Sequence, residues 1–342
     1  MSRRIFCTVL LTAVVIFGLV AVSGILLAQG HSPDAFEQVR QIQERHANGL
    51  LAIEGVEGTA IGYNENGRLT VKVFTAGPGV AGIPKSLDGV PVKVVVTGKF
   101  YAQPMPDTPP GLEKKDDEID PTARFDRPVP IGVSTGHPLI TAGTIGCRVK
   151  KDGNVYALSN NHVYAAENQA KIGDNVLQPG RADGGVNPAD AIGTLADYEP
   201  IVFSLTANNE IDAAIALCEG TVDNATPSDG YGTAKSTITT AALGQAVQKY
   251  GRTTGLTRGT ISEINFIGNI GYSTGTARFV GQLVVVGTKG RFSRGGDSGS
   301  LIVTDPDKEP VGLLFAGGGS RTIANTIGKV LDAFDASIDG EE

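Results

Sequence analysis

A serine set among glycines, Gly295-Gly296-Asp297-Ser298-Gly299-Ser300, lies far downstream of a histidine in Ser159-Asn160-Asn161-His162-Val163, and Asp212 in Glu210-Ile211-Asp212-Ala213-Ala214-Ile215 stands between them. A serine hydroxyl is a weak nucleophile at neutral pH. It needs an imidazole to take its proton, and the imidazole needs a carboxylate to hold its tautomer and stabilise the imidazolium. His162, Asp212 and Ser298 supply these types in the order base, acid, nucleophile. The glycines let the backbone turn tightly and free the N–H groups of Gly296 and Ser298 to face a developing oxyanion, each donor being worth about 3 kcal/mol. This is the equipment of acyl transfer.

Each residue also has a plainer reading. His162 can cap a turn, Asp212 can bind backbone amides, and Ser298 can be an ordinary loop serine; the three together, in one order, favour the chemical reading. Asp190, in Pro188-Ala189-Asp190-Ala191-Ile192, is a rival carboxylate whose place before a strand reads as a turn. His31, His46 and His137 precede no comparable strand-to-turn segment, and the histidines lack metal-ligand spacing, which argues against catalytic zinc. The chemistry requires no cofactor.

The elements that must position these groups are short strands. Thr144 to Val149 and Val155 to Ser159, joined by the Lys151-Asp152-Gly153-Asn154 turn, predict a hairpin that delivers His162. Ala191 to Asp197 and Ile211 to Leu217 follow, the latter carrying Asp212. A second half, from about Leu243, holds strands at Ala246 to Tyr250, Gly259 to Ile264, Phe279 to Gly287, Ser300 to Val303 and Val311 to Phe315. The pattern predicts two antiparallel barrels with the reactive groups at their junction. Upstream, apolar Phe36, Val39 and Ile42 predict an amphipathic helix from Pro33 to Asn48. A hairpin (58–63 and 69–74) and a strand (90–99) complete a small α+β domain at 33–100, which either stabilises the chain or acts as a folding or inhibitory pro-region. Residues 101–130, rich in proline and acid, read as a linker.

The chain has 342 residues with 41% hydrophobic content, enough for a substantial core in two domains. Its 46 glycines and absence of tryptophan favour strands and turns over helix bundles. The formal charge of −7, without a basic cluster, argues against nucleic-acid binding. Arg3 and Arg4 followed by an uncharged apolar run predict that 1–28 is a signal peptide or a membrane anchor. The protein is therefore expected to be exported, whether secreted, periplasmic or membrane-anchored facing outward. Outside that segment only Cys147 and Cys218 remain; in an oxidising compartment they are either a disulfide or two buried thiols.

The His162, Asp212 and Ser298 segments, with Gly251-Arg252-Thr253-Thr254-Gly255-Leu256 followed by Gly259-Thr260-Ile261, resemble the chymotrypsin-like serine proteases, especially bacterial secreted enzymes of the α-lytic protease and streptogrisin type. The resemblance covers about 131–338. It implies an all-β catalytic domain of two antiparallel six-stranded-type barrels, here preceded by the small α+β domain. It further implies a serine endopeptidase acting on polypeptides through His162, Asp212 and Ser298, with Gly296 and Ser298 as the oxyanion hole. Phe292, Phe315, Ala316 and Gly317 would contribute to the primary specificity pocket, and Asp297 would make an internal ion pair that shapes the hole. The chain departs from the family pattern at Asn160 and Asn161 before the base, at Val163 after it, and at Ser300 in place of a glycine. An α/β-hydrolase uses the same residue types in the order nucleophile, acid, base, opposite to the order here. The non-enzymatic alternative is a catalytically inactive protease-like module that binds protein chains.

Overall fold

The computed structural model describes residues 33–102 and 119–342. The apolar segment 1–28, Cys7, His31 and part of the linker lie outside the described residues. No described helix is long and apolar enough to cross a membrane.

The N-terminal segment begins with α1 (Pro33–Leu51), β1 (Val56–Tyr63), β2 (Leu69–Thr75), β3 (Ser86–Leu87), β4 (Val90–Val96) and β5 (Phe100–Ala102). Helix α1 turns Val39, Ile42 and Leu50 onto Ile61, Val71 and Val73 of the strands, burying one apolar face as its periodicity predicts. Strands β1 and β2 are antiparallel, whereas β2 and β4 run parallel.

The first barrel follows: β6 (Ser134–Thr135), β7 (Gly143–Thr144), β8 (Cys147–Lys151), β9 (Asn154–Ser159), β10 (Asn175–Leu177), β11 (Ala191–Tyr198) and β12 (Ala214–Leu217). The turn between β8 and β9 places Asp152 and Gly153 at φ of 50° and 79°, the left-handed pair that a two-residue hairpin demands and that an Asp-Gly sequence tolerates. Strands run in the order β10-β11-β12-β9-β8. A bridge from Gly136 to Leu177, with the Gly146 N–H donating to the Leu158 carbonyl, closes the ring through β6 and β7. Ile131, Val133, Ile145, Val149, Leu158, Val176, Ile192 and Ile215 fill it.

The second barrel comprises β13 (Ala246–Gly251), β14 (Gly255–Gly271), β15 (Thr276–Gly287), β16 (Leu301–Thr304), β17 (Pro310–Gly318) and β18 (Arg321–Thr326). The order β13-β16-β17-β18-β15-β14 closes on itself through β13–β14 pairing, so no edge is left open in this ring. Helix α3 (Ile327–Phe334) and β19 (Ser337–Ile338) return the chain to the first barrel, where β19 pairs with β8.

Two strands are longer than sequence patterning predicts. β14 and β15 overrun the barrel as a long hairpin, and β1 pairs antiparallel with β14 beyond the barrel, from Gly58 opposite Gly268 to Gly62 opposite Glu263. The N-terminal sheet thus continues the second barrel's sheet, and His31–Glu342 is one compact unit. Phe74, Phe100 and Phe266 meet at the seam with centroids 5.2–5.8 Å apart. β5 then pairs parallel with β14 at Ile270 and Gly271, and antiparallel with β17 at Ala316 and Gly317.

Cys147 and Cys218 are free, buried thiols, which corrects the disulfide alternative. Cys147 lies on β8 and Cys218 just past β12, on opposite sides of β9. Two strand spacings of about 4.8 Å separate their backbones by about 10 Å, beyond the roughly 7 Å that a disulfide spans. Burial raises both thiols, that of Cys218 to about 12. Non-reducing peptide mapping after unfolding in an alkylating agent is expected to recover both cysteines alkylated; a linked Cys147–Cys218 peptide would refute this register.

Candidate active site

His162, the candidate base, is delivered by a β-strand and a single turn. β9 ends at Ser159, and α2 (Asn161–Tyr164) carries His162, with Asn160 in extended conformation before it. Asp212 lies just ahead of β12, the strand that pairs with β9, so strand pairing brings the two side chains together. His162 Nδ1 and Asp212 Oδ2 are 2.6 Å apart, and the His162 backbone N–H donates to Asp212 Oδ1 at 3.2 Å. Asp212 is fully buried. Its carboxylate therefore holds the imidazole with the Nδ1 proton directed at itself, leaving Nε2 as the ring's acceptor. That Nε2 is buried and has no hydrogen-bond partner among the described residues.

The backbone of Asp212 is pinned from both barrels. Asn160 Nδ2 donates to the Asp212 carbonyl at 2.8 Å, and the Asp212 N–H donates to Asn325 Oδ1 at 3.1 Å. Asn325 in turn donates to Gln282 on β15. Asn160, two residues before His162, is thus a strut to the Asp212 backbone.

Ser298 sits in a turn near the end of the 288–300 connection between β15 and β16. Gly296 adopts φ of 91° and Gly299 φ of 96°, and a Cβ at Gly299 would stand 2.2 Å from both the Ser159 hydroxyl and the Thr144 carbonyl. Both positions require glycine. The Ser298 carbonyl accepts from the Thr144 N–H at 2.8 Å, fastening the turn to the barrel that carries His162. The Ser298 hydroxyl donates to the Phe315 carbonyl at 3.4 Å rather than to His162. Among the described residues, the N–H groups of Gly296 and Ser298 have no acceptor, whereas those of Asp297, Gly299 and Ser300 do.

Asp297 is the turn's anchor. It is fully buried and accepts from the N–H groups of Arg294, Thr253 and Thr254 and from the Thr254 hydroxyl, at 2.8–3.1 Å. Lys249 Nζ, on β13, is equally buried and stands 3.6 Å from Asp297 Oδ2. Burial pulls the Lys249 ammonium below its ordinary value, and Asp297 acts against that pull. Arg252 backs the same turn from outside, pairing with Asp183.

The remaining sequence-selected residues are placed differently. Phe292 is fully buried: it packs in the second barrel's core with Val247, Ile261 and Ile302, and Lys249 Nζ lies 6.0 Å from its ring centroid. The Phe315 ring packs on Phe279 at 4.8 Å, so only its carbonyl faces Ser298. Ala316 and Gly317 have their strand edge taken by β5. Asp190 binds Arg124 and the Val186 N–H, as a turn residue does. His46 faces Asp88, and His137 faces Asp174 at 3.2 Å, both remote from Asp212 in partnership.

Three residues of the site escaped sequence reasoning: Lys249, Tyr272 and Glu167. The Tyr272 hydroxyl donates to Asp212 Oδ2 at 2.9 Å. Glu167 accepts from the N–H and hydroxyl groups of both Ser273 and Thr274. Burial raises the Glu167 carboxyl, but these donors together outweigh it and hold the group below its usual range. An inward lysine in the apolar setting of β13 was the one available signal; nothing local marks the other two.

Comparison with known proteins gives a family model, the Nal1 C-terminal domain, that matches residues 233–339. No curated protein matches. Among solved structures, the chain is similar to a glutamic acid specific serine protease, at 21% identity, 61% of this chain, 100% of that one and a TM-score of 0.44. It is similar to Thermobifida fusca protease A at 19% identity, 61% and 97% coverage and a TM-score of 0.43. It is also similar to Nocardiopsis protease at 18% identity, 61% and 98% coverage and a TM-score of 0.44. These are likenesses of fold to bacterial chymotrypsin-like serine proteases.

Proposed function

We propose that this chain is a serine endopeptidase whose residues 33–102 are a docked pro-segment, with β5 covering the β17 edge at Ala316 and Gly317. The observation that carries the reading is the buried Asp212–His162 pair with Nε2 left unclaimed, on a segment whose next residue, Val163, meets Gly143 where the Ser298 carbonyl also approaches. In this reading Nε2 takes the Ser298 proton as the hydroxyl attacks the scissile carbonyl, and Asp212 stabilises the imidazolium. The N–H groups of Gly296 and Ser298 receive the oxyanion. His162 then protonates the leaving amine, and water resolves the acyl-enzyme by the same steps in reverse.

Support for the pro-segment comes from β5. An extended peptide added antiparallel to β17 at Ala316 and Gly317 would run toward the Phe315 carbonyl and hence toward Ser298. His162 is 5% exposed and Ser298 2%, so the docked state offers a polypeptide little access. Export with 1–28 as a removable leader or anchor belongs to the same proposal.

The test is covalent labelling with a serine-directed fluorophosphonate. A single adduct mapped to Ser298 is expected. Its formation should accelerate when a protease site inserted within 103–118 is cut and the 33–102 fragment is separated. A second reading, the inactive binding module, draws on the Ser298 hydroxyl bonding Phe315 rather than His162. Folded protein that takes no label after the fragment has been removed would establish that reading instead.

A further inference from the structure

We propose that Tyr272, carried on the tip of the β14–β15 hairpin and clamped there by Glu167, is a positioning residue that sets the orientation of the Asp212 carboxylate toward His162. The inference rests on the catalytic reading above and adds a role for residues outside the triad.

The geometry is specific to one oxygen. Asp212 Oδ2 receives the Tyr272 hydroxyl at 2.9 Å and faces His162 Nδ1 at 2.6 Å, while Oδ1 receives the His162 backbone N–H at 3.2 Å. With the second donor in place, the carboxylate cannot rotate about its Cβ–Cγ bond without losing three bonds at once. Without it, Oδ2 is a buried charged oxygen with one lone pair unmatched, and the carboxylate is free to swing off the imidazole plane. The Tyr272 ring adds a second constraint. It meets the His162 ring edge to face, centroids 6.0 Å apart at 72°, and is itself packed against Phe203 and Phe279 at 5.6 and 6.1 Å.

A residue on a hairpin tip holds position only if the tip is held. Here the Tyr272 N–H closes the turn on the Gly275 carbonyl at 2.7 Å. The next two residues give their N–H and hydroxyl groups to Glu167, at 3.1 and 2.8 Å from Ser273 and 2.9 and 2.6 Å from Thr274. Glu167 belongs to the loop just after α2, and its neighbour Asn168 exchanges side-chain and backbone hydrogen bonds with Asn161, the residue preceding His162. The hairpin of one barrel is thus tied to the loop of the other that carries the base. Burial and the nearby Asp212 charge push the Tyr272 phenol well above its ordinary value, so it remains a donor at neutral pH.

The experiment uses the full chain and reads the pair directly. The proton on His162 Nδ1 is observed as a downfield imidazole resonance by proton NMR with nitrogen-labelled histidine, assigned by its loss in His162→Ala. Tyr272→Phe keeps the ring and removes only the hydroxyl. It is expected to move or exchange-broaden that resonance. The maximal rate of Ser298 phosphonylation should fall about tenfold, with less than about a twofold change in the half-saturating concentration. Glu167→Gln, which weakens the clamp without touching Asp212, is expected to perturb the same resonance, and the double variant to lose little more than Tyr272→Phe alone. An unchanged resonance in Tyr272→Phe, or a change confined to half-saturation, would overturn the proposal. If neither the unaltered chain nor the chain freed of 33–102 takes phosphonate, the catalytic reading fails, and the resonance still decides whether Tyr272 sets the pair.

Discussion

On the proposed endopeptidase reading, peptide hydrolysis by the chain freed of 33–102 is expected to fall about 10⁶-fold in Ser298→Ala and in His162→Ala, and no further when both are changed, because the two groups would act as one unit. Asp212→Asn is expected to fall by about 10⁴ while leaving the fold in place. The reason lies in the direction of one proton. Asp212 Oδ2, as a pure acceptor 2.6 Å from Nδ1, keeps the imidazole proton on Nδ1 and Nε2 free to accept. An asparagine amide presenting its NH₂ there would force the proton to Nε2, where it blocks transfer from Ser298. Steady-state kinetics on a peptide substrate check the rates, and urea unfolding checks that stability is kept. Loss of activity that tracks loss of stability would contradict the assignment; so would an Asp212→Asn enzyme of ordinary rate.

Breaking the buried Lys249–Asp297 pair beneath the Ser298 turn is expected to be the most destabilising single change. Lys249→Met leaves Asp297 as an unmatched charge with no exposed surface, a situation that costs about 3–5 kcal/mol. The methionine keeps apolar bulk over the Phe292 ring, so the loss is electrostatic in origin. It also removes the donors that Lys249 gives to the Thr254 hydroxyl and the Gly255 carbonyl. Because Asp297 is joined to Ser298 in sequence and gathers Arg294, Thr253 and Thr254 around the turn, Ser298 labelling should fail together with stability. The control is a double-mutant cycle. Lys249→Met with Asp297→Asn is expected to cost less than the sum of the single changes, since the uncompensated charge is gone. Additive costs in urea unfolding would mean that the two groups do not interact.

Much of the fold was legible because its signals are local. The Asp152-Gly153 turn, the glycines around Ser298 and the alternation of β8 each report backbone geometry within a few residues. The α1 stripe likewise foretold its own buried face. The length of the β14–β15 hairpin was not legible, because its overhang is stabilised by β1, a strand distant in sequence that supplies the hydrogen bonds the barrel does not. Phe292 misled for a related reason. A phenylalanine near a nucleophile reads equally as pocket wall or core, and only the inward register of its neighbours, with Lys249 beneath, selects core.

Sequence alone determined which chemistry the chain can attempt. The identities and order of His162, Asp212 and Ser298, and the glycines that permit positive φ at Gly296 and Gly299, are properties of residues and their immediate neighbours. Tertiary structure alone decided what completes that chemistry: Tyr272 on Asp212, Glu167 on the hairpin tip, Lys249 under Asp297, β5 along β17, and the strand that keeps Cys147 from Cys218. Each of these is a meeting of groups remote in sequence. Such meetings follow from strand register and from the balance of burial against charge, and a register shift of one residue would turn each strand's side chains to the other face and dissolve them.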